Sequence, residues 1–363
     1  MKHPIYNFGA GPAMLPATVM RQIQEEFLDF QGMGVSIIEI SHRSPEFEAL
    51  LSETDELIRQ VAGLPKSHEI LYLHGGAQML FSAIPLNLIG LKPSKKALYV
   101  ETGNFAHIAR KEAEKFGQID VIASGESSQF KALPKLTPEM FDPAASYMHL
   151  TGNNTLYGTQ YPQFPDTGGI PLVVDLTSEI FSRQLDYSQF AAVYAGAQKN
   201  LGPSGIALSI INKDLIGYAA KDCPKLLDFK VLLENHSMVN TINTFGVYVM
   251  NLVLKWIVSE GGVSVLEARN AAKANLLYQV LDRSSLYSAV AKTSDRSMMN
   301  VCFNLNPPDL LPLFLSEALE QGLYALKGHR AVGGARASIY NAMPIEGVQA
   351  LVQFMNEFER TRG

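Results

Sequence analysis

One lysine stands in a run of small residues, "VYAGAQKNLGPSG" (193–205), with an apolar stretch leading in and another, "IALSII", leading out. Lys199 is a long cation with little side chain beside it to cover it. Upstream, Asp175 ends the very apolar run "PLVVD" (171–175). Further upstream, "EILYL" is followed by His74-Gly75-Gly76-Ala77-Gln78 and then by an apolar pattern with helical spacing. Glycines there let backbone N–H groups approach an anion, and the helix N-terminus adds partial positive charge. Taken singly, each feature has an ordinary structural reading: a strand-to-helix turn, an Asp that begins a turn, a surface lysine.

Two nucleotide readings fail on the residues. G-x-G-x-x-G does not follow the first strand; "GAGPAM" (9–14) has Pro at its fourth place and Met at its sixth, and no strand precedes it. G-x-x-x-x-G-K-[ST] is absent as well. The three features together are instead the parts that pyridoxal 5′-phosphate requires. Its aldehyde needs a lysine, its ring nitrogen a carboxylate and its phosphate a helix N-terminus. An aromatic side chain to stack on the ring is available as Phe105 in "ETGNF".

These residues must be held by a sheet. Seven short apolar runs lie at 69–73, 96–100, 119–123, 146–150, 171–175, 191–195 and 206–211. Helical stretches such as "NFAHIARKEAEKFG" (104–117) connect several of them. The fold class predicted is α/β, a mostly parallel seven-stranded sheet with helices on both faces. Continuous rather than alternating apolar runs fit strands buried on both sides. Ligands of such sheets bind beyond the carboxyl ends of the strands, which is where Asp175 and Lys199 fall.

After residue 260 the rhythm changes. A long helix, the strand "MMNVCFNL", a helix, the strand "ARASIY" and a terminal helix predict a smaller α+β domain. We assign 16–259 to a large domain, and 1–15 with 260–363 to a small one.

The 363-residue chain is 47% apolar and 18% charged, which suits a globular protein with a large core. Its net charge of −5 argues against nucleic acid or an anionic membrane as partner. Cys223 and Cys302 are too few for a disulfide framework or a four-ligand zinc site, so no metal is predicted and a reducing cytoplasm is the expected location. "MKHPIYNFGAGP" lacks the apolar core of a signal peptide. "FGVYVMNLVLKWIV", broken by Asn251 and Lys255, reads as a buried core helix rather than a membrane span.

The motifs "NFGAGPAMLP", "SHRSPEF", "HGGAQ", "AGAQKNLGPSG" and "LKGHRAVGGARASIYNAM" resemble the class V aminotransferases of fold type I, and within them the branch that acts on phosphoserine. The resemblance covers nearly the whole chain. It implies that Lys199 bonds the cofactor covalently and that Asp175 pairs with its ring nitrogen. Ala77, Gln78 and Gln198 would contact the cofactor phosphate, with Asn240 and Thr241 contributed by the second subunit of a homodimer. Thr155 would reach the cofactor's 3′-oxygen, and Phe105 would stack on the ring. Arg336 would grip the substrate α-carboxylate, and His42, Arg43, His329 and Arg330 would form the substrate-phosphate pocket, partly across the dimer interface. The implied substrates are O-phospho-L-serine, L-glutamate and 2-oxoglutarate, in serine biosynthesis, with a phosphorylated hydroxythreonine of pyridoxine synthesis as a related one.

Two positions depart from the family. Phe105 stands where Trp is usual, which keeps the stacking and loses the indole N–H. Gln78 stands where the phosphate loop often has Arg. "SHR" and "GHR" each set a His beside an Arg in an otherwise acidic chain, and Arg offers a planar fork for phosphate or carboxylate. The competing readings are another enzyme of this fold, such as an alanine–glyoxylate aminotransferase or a cysteine desulfurase, and a non-catalytic cofactor-binding protein. A desulfurase needs a mobile, reactive Cys; Cys302 falls in a strand pattern and Cys223 precedes a Pro. His107 and His149 are assigned no role.

Overall fold

The computed structural model describes residues 4–363. All seven expected strands form, in one sheet: β1 (His68–His74), β2 (Lys96–Glu101), β3 (Gln118–Ser124), β4 (Tyr147–Thr151), β5 (Leu172–Asp175), β6 (Ala192–Gly196) and β7 (Ile206–Asn212). Their order is β1-β7-β6-β5-β4-β2-β3. Pairs β2/β3, β2/β4, β4/β5 and β5/β6 are parallel. β7 runs antiparallel to both β6 and β1. The cause is chain length: residues 197–205 join β6 to β7, and a parallel crossover needs about a dozen residues or more. The connection that carries Lys199 is therefore a tight return at the carboxyl edge, not a crossover.

Burial on both faces explains the continuous apolar runs. In β1, Ile70 and Tyr72 enter the apolar cluster on one face, and Leu71 and Leu73 the cluster on the other. The first face is covered by the helices Pro45–Ala62 and Thr244–Ser259, the second by Ala77–Leu88 and Asn104–Ala113. Each buried Leu, Ile or Phe contributes roughly 1.5–3 kcal/mol, so these helices are fixed by packing. Helix Pro45–Ala62 begins where Ser44 Oγ accepts from the Phe47 N–H at 3.3 Å, with Pro45 in its first turn, and stops at Gly63 in the left-handed conformation, φ 60°. Thr244–Ser259 is buried along most of its length, as expected for a core helix. No single helix among the described residues is long and apolar enough to cross a membrane.

Helix Asn104–Ala113 ends short of the 104–117 read from sequence. The chain turns there toward Gly117, where an added Cβ would lie 2.5 Å from the Lys95 carbonyl oxygen. A third apolar cluster joins Phe8 with residues between Ala274 and Phe358. It contains an antiparallel sheet of Tyr287–Ala289, Asn300–Leu305 and Ala335–Ser338, the last strand bearing Arg336. The N-terminal arm lies on this part: Tyr6–Asn7 pairs in parallel with Leu323–Tyr324.

Candidate active site

A cavity of about 490 Å³ opens where β1, β2, β4, β5 and β6 end. Ala77, Gln78, Phe105, Thr155, Asp175, Gln198, Lys199, His329 and Arg336 all line it. They come from segments spread over most of the chain, and the parallel strands bring their ends to one edge.

Lys199 is buried, and its Nζ donates to Thr155 Oγ1 at 2.6 Å. The same nitrogen lies 5.8 Å from the centre of the Phe105 ring. Burial pulls the amine down to about 8; Asp175 opposes that shift and Arg336 adds to it. Asp175 is buried too, and desolvation raises its carboxyl, against the pull of Thr177 and of Lys199. Its Oδ1 accepts the Thr177 backbone N–H at 2.9 Å, which holds the carboxylate in place.

The strand-to-helix turn after β1 has the form of an anion cradle. Helix Ala77–Leu88 starts at Gly76 with no side chain capping its first N–H groups. Gly75 takes φ +86°, which favours glycine. Beside it, a Cβ on Gly196 would lie 3.1 Å from the Ala77 nitrogen and would strike Gln198 Oε1. The small residues around Lys199 are thus a clearance requirement. Opposite, Arg336 leaves Nε and Nη1 buried without a hydrogen-bond partner. An unpaired buried donor costs about 1–3 kcal/mol, more when charged, so this guanidinium is poised for an anionic ligand in the cavity.

Five expected residues lie outside the cavity lining: His42, Arg43, Asn240, Thr241 and Arg330. Arg43, Asn240, Thr241 and Arg330 are exposed, and His42 is half-buried. Arg43 Nε donates to His42 Nε2 at 3.3 Å. Asn240 Oδ1 lies 3.1 Å from His74 Nε2, beside the Gly75-Gly76 turn. His149 is buried on Tyr194 and held down to about 3 by desolvation, and His107 pairs with Glu101. His149 is a packing residue, whereas His107 is exposed in a surface ion pair; neither lines the cavity. Neither thiol is prepared as a nucleophile: burial raises Cys302 to about 12 and Cys223 to about 11.

Some of the wall was not read from sequence. Ala10 and Gly11 close the cavity from the N-terminal arm. Gly11, at φ +140°, would place a Cβ 3.4 Å from Lys199 Cγ. Asn153 Nδ2 donates to Ser178 Oγ at 2.7 Å and to Asn300 Oδ1 at 2.8 Å, tying the cavity to the three-stranded antiparallel sheet. The polar run "TGNNT" after β4 was the available signal for Asn153; nothing local marked Gly11.

The donors suit the cofactor read from the sequence: an uncapped helix start for its phosphate, a buried carboxylate, and a desolvated amine against an aromatic ring. The fold and the site define an aminotransferase. The sequence pattern of the family described as "Aminotransferase class-V" matches residues 5–351, and the chain belongs to that family. It is 47% identical to the phosphoserine aminotransferase of Bacillus cereus, over 98% of this chain and 98% of that one. The solved phosphoserine aminotransferase of Bacillus circulans subsp. alkalophilus superposes with TM-score 0.95 at 44% identity, covering 99% of each chain. A phosphoserine aminotransferase from Trichomonas vaginalis, solved with pyridoxal phosphate bound, gives TM-score 0.90 at 32% identity over 97% of this chain and 99% of that one.

Proposed function

We propose that this protein moves an amino group between O-phospho-L-serine and 2-oxoglutarate, giving 3-phosphohydroxypyruvate and L-glutamate, with pyridoxal 5′-phosphate as cofactor. The observation that carries the reading is Arg336, two of whose guanidinium nitrogens are buried without a partner, in the same cavity as a desolvated lysine. When bound, the cofactor supplies the electron sink that lets the substrate's α-C–H bond break.

The protein's residues do the rest. The N–H groups of Ala77 and Gln78, with Gln198, hold the cofactor phosphate. Asp175 keeps a proton on the ring nitrogen, because a buried carboxylate favours the charged partner. Phe105 covers one ring face, and Thr155 meets the 3′-oxygen. Arg336 clamps the α-carboxylate and fixes the α-carbon. Lys199 Nζ, held near 8, takes the α-proton and returns it as a general base and acid near neutral pH.

The substrate phosphate falls to His329, Arg330, His42 and Arg43. Of these only His329 lines the cavity within one chain. The reading therefore includes a homodimer in which His42, Arg43, Asn240 and Thr241 complete the partner's site. Exposed apolar side chains in the segment before His42 support it, with Leu28 79% and Ile38 55% exposed. Residues 16–259 form the cofactor-binding domain in this reading, and 1–15 with 260–363 the small domain that brings Arg336. Two free cysteines suit the cytoplasm.

Specificity gives the test. A pocket of buried cations rejects a ligand that lacks the matching anion by ~10⁴-fold, because the cations are left unpaired. Serine should be that much poorer than phosphoserine in kcat/KM. Equal values would refute the phosphate pocket, and no amino transfer from phosphoserine would refute the function.

A further inference from the structure

The strand Ala335–Ser338, which carries Arg336, runs directly into the turn 339–343. Two buried side chains fasten that turn. Lys273, 2% exposed on helix Val263–Arg283, gives its Nζ hydrogens to the carbonyls of Ile339 at 3.0 Å, Tyr340 at 2.8 Å and Met343 at 3.0 Å. Three acceptors match the three donors of an ammonium group. Asn341, in the middle of the turn, is bonded in three directions. Its backbone N–H donates to Asn200 Oδ1 at 3.1 Å, its Nδ2 donates to the Phe181 carbonyl at 2.9 Å, and its Oδ1 accepts from Asn270 Nδ2 at 2.8 Å.

Asn200 is the residue after Lys199. Its own Nδ2 donates to the Ile180 carbonyl at 3.1 Å, so it is fixed to the segment that follows Asp175. A continuous path therefore runs from Lys199 through Asn200 and Asn341 to the strand of Arg336. The turn also holds the cavity's far wall, since the Tyr340 hydroxyl donates to the Ala10 carbonyl at 2.8 Å.

We propose that Asn341 and Lys273 are positioning residues, which set Arg336 at a fixed place relative to Lys199 by locking the turn between them. The proposal rests on the reading of Arg336 as the carboxylate clamp. Neither residue lines the cavity beside Lys199, so neither touches a ligand there directly. A clamp that shifts by an ångström no longer meets a carboxylate whose place is fixed by the ligand's other anionic end, so such a ligand binds more weakly and its α-hydrogen is no longer presented to the Lys199 amine.

The test uses holoenzyme of the wild type, Asn341→Ala, Lys273→Met and, as a control, Arg336→Ala. Two inert probes are titrated: 3-phosphonopropionate, which has a carboxylate and a phosphonate but no amine, and inorganic phosphate. In both positioning variants the visible absorbance of the cofactor on Lys199 and the affinity for inorganic phosphate should be unchanged. Affinity for 3-phosphonopropionate should fall, and KM for phosphoserine rise, by roughly ten- to a hundredfold. A lower melting temperature with both probe affinities unchanged would reduce the turn to a brace for the fold and overturn the proposal. Equal weakening of both probes would overturn it too, as general loosening of the site. If Lys273→Met does not fold, Asn341→Ala decides alone. If Arg336→Ala binds 3-phosphonopropionate as the wild type does, the reading of Arg336 itself fails, a result distinct from failure of the positioning variants alone.

Discussion

Lys199 is 8% exposed and donates one side-chain hydrogen bond, to a threonine hydroxyl; Lys273 is 2% exposed and donates three, all to backbone carbonyls. Burial pulls both amines down, Lys199 to about 8 and Lys273 to about 7. At Lys273 the neighbouring Arg269 adds to the fall, against which three carbonyl acceptors favour the charged form, since only it has three hydrogens to give. At Lys199 the counterweight is Asp175, and the neighbouring Arg336 cancels part of it. One lysine is built into the fold with every hydrogen used. The other is left with donors to spare, facing an aromatic ring and a cavity. What separates the two lysines is thus unsatisfied bonding capacity, not depth of burial.

The contrast breaks most visibly in turnover. Lys199→Ala should lower amino transfer by roughly 10⁴-fold or more and remove the absorbance of the covalently held cofactor; a normal rate in that variant would put Lys199 back among structural lysines. Stability should respond with opposite signs at the two positions. Lys273→Met strands three carbonyls and should destabilise the protein by about 3 kcal/mol in urea unfolding, whereas Lys199→Met, which removes an under-paired buried amine, should stabilise the cofactor-free protein. Loss of stability in both variants would erase the distinction.

A pH titration sharpens the Lys199 side. Between about 8 and its ordinary 10.5, the folded amine is neutral while the unfolded one stays charged. The unfolded chain then binds more protons, so this group makes the cofactor-free protein more stable as pH rises through that window, by about 3 kcal/mol in all. Below pH 8 both forms are charged and the slope from this group disappears. Lys199→Met should remove that part of the pH dependence, and identical profiles for the two proteins would contradict the shift. The smallest effect concerns the ring facing the amine. Phe105→Ala should weaken cofactor binding by about 1 kcal/mol, while Phe105→Trp should hold or improve it; unchanged affinity in the alanine variant would show that the ring does not stack.

Much of the site can be read along the chain because its signals are local. "PLVVD" declares a strand buried on both faces with a carboxylate at its end, and "HGGAQ" a glycine turn before an apolar helix. β6 and β7 are likewise legible as apolar runs, but the antiparallel direction of β7 follows from the length of the nine-residue connection and not from composition. Arg336 was reached by resemblance alone, since no local pattern tells a clamp arginine from any strand arginine, whereas Phe105 was already offered by its place in "ETGNF".

By itself, then, the sequence determined the seven-stranded sheet and the edge of it at which Asp175 and Lys199 come together. Hydrophobic periodicity and glycine turns are properties of neighbours in the chain, and they survive without a fold. Only the tertiary structure decided that Thr155 would hold Lys199, that Gly11 would leave room for its stem, and that Asn341 would meet Asn200. It also decided which buried lysine would be spent on carbonyls and which left free. Those outcomes depend on distant segments arriving at one place, where hydrogen-bonding capacity is either consumed or spared, and no stretch of sequence records its own partners.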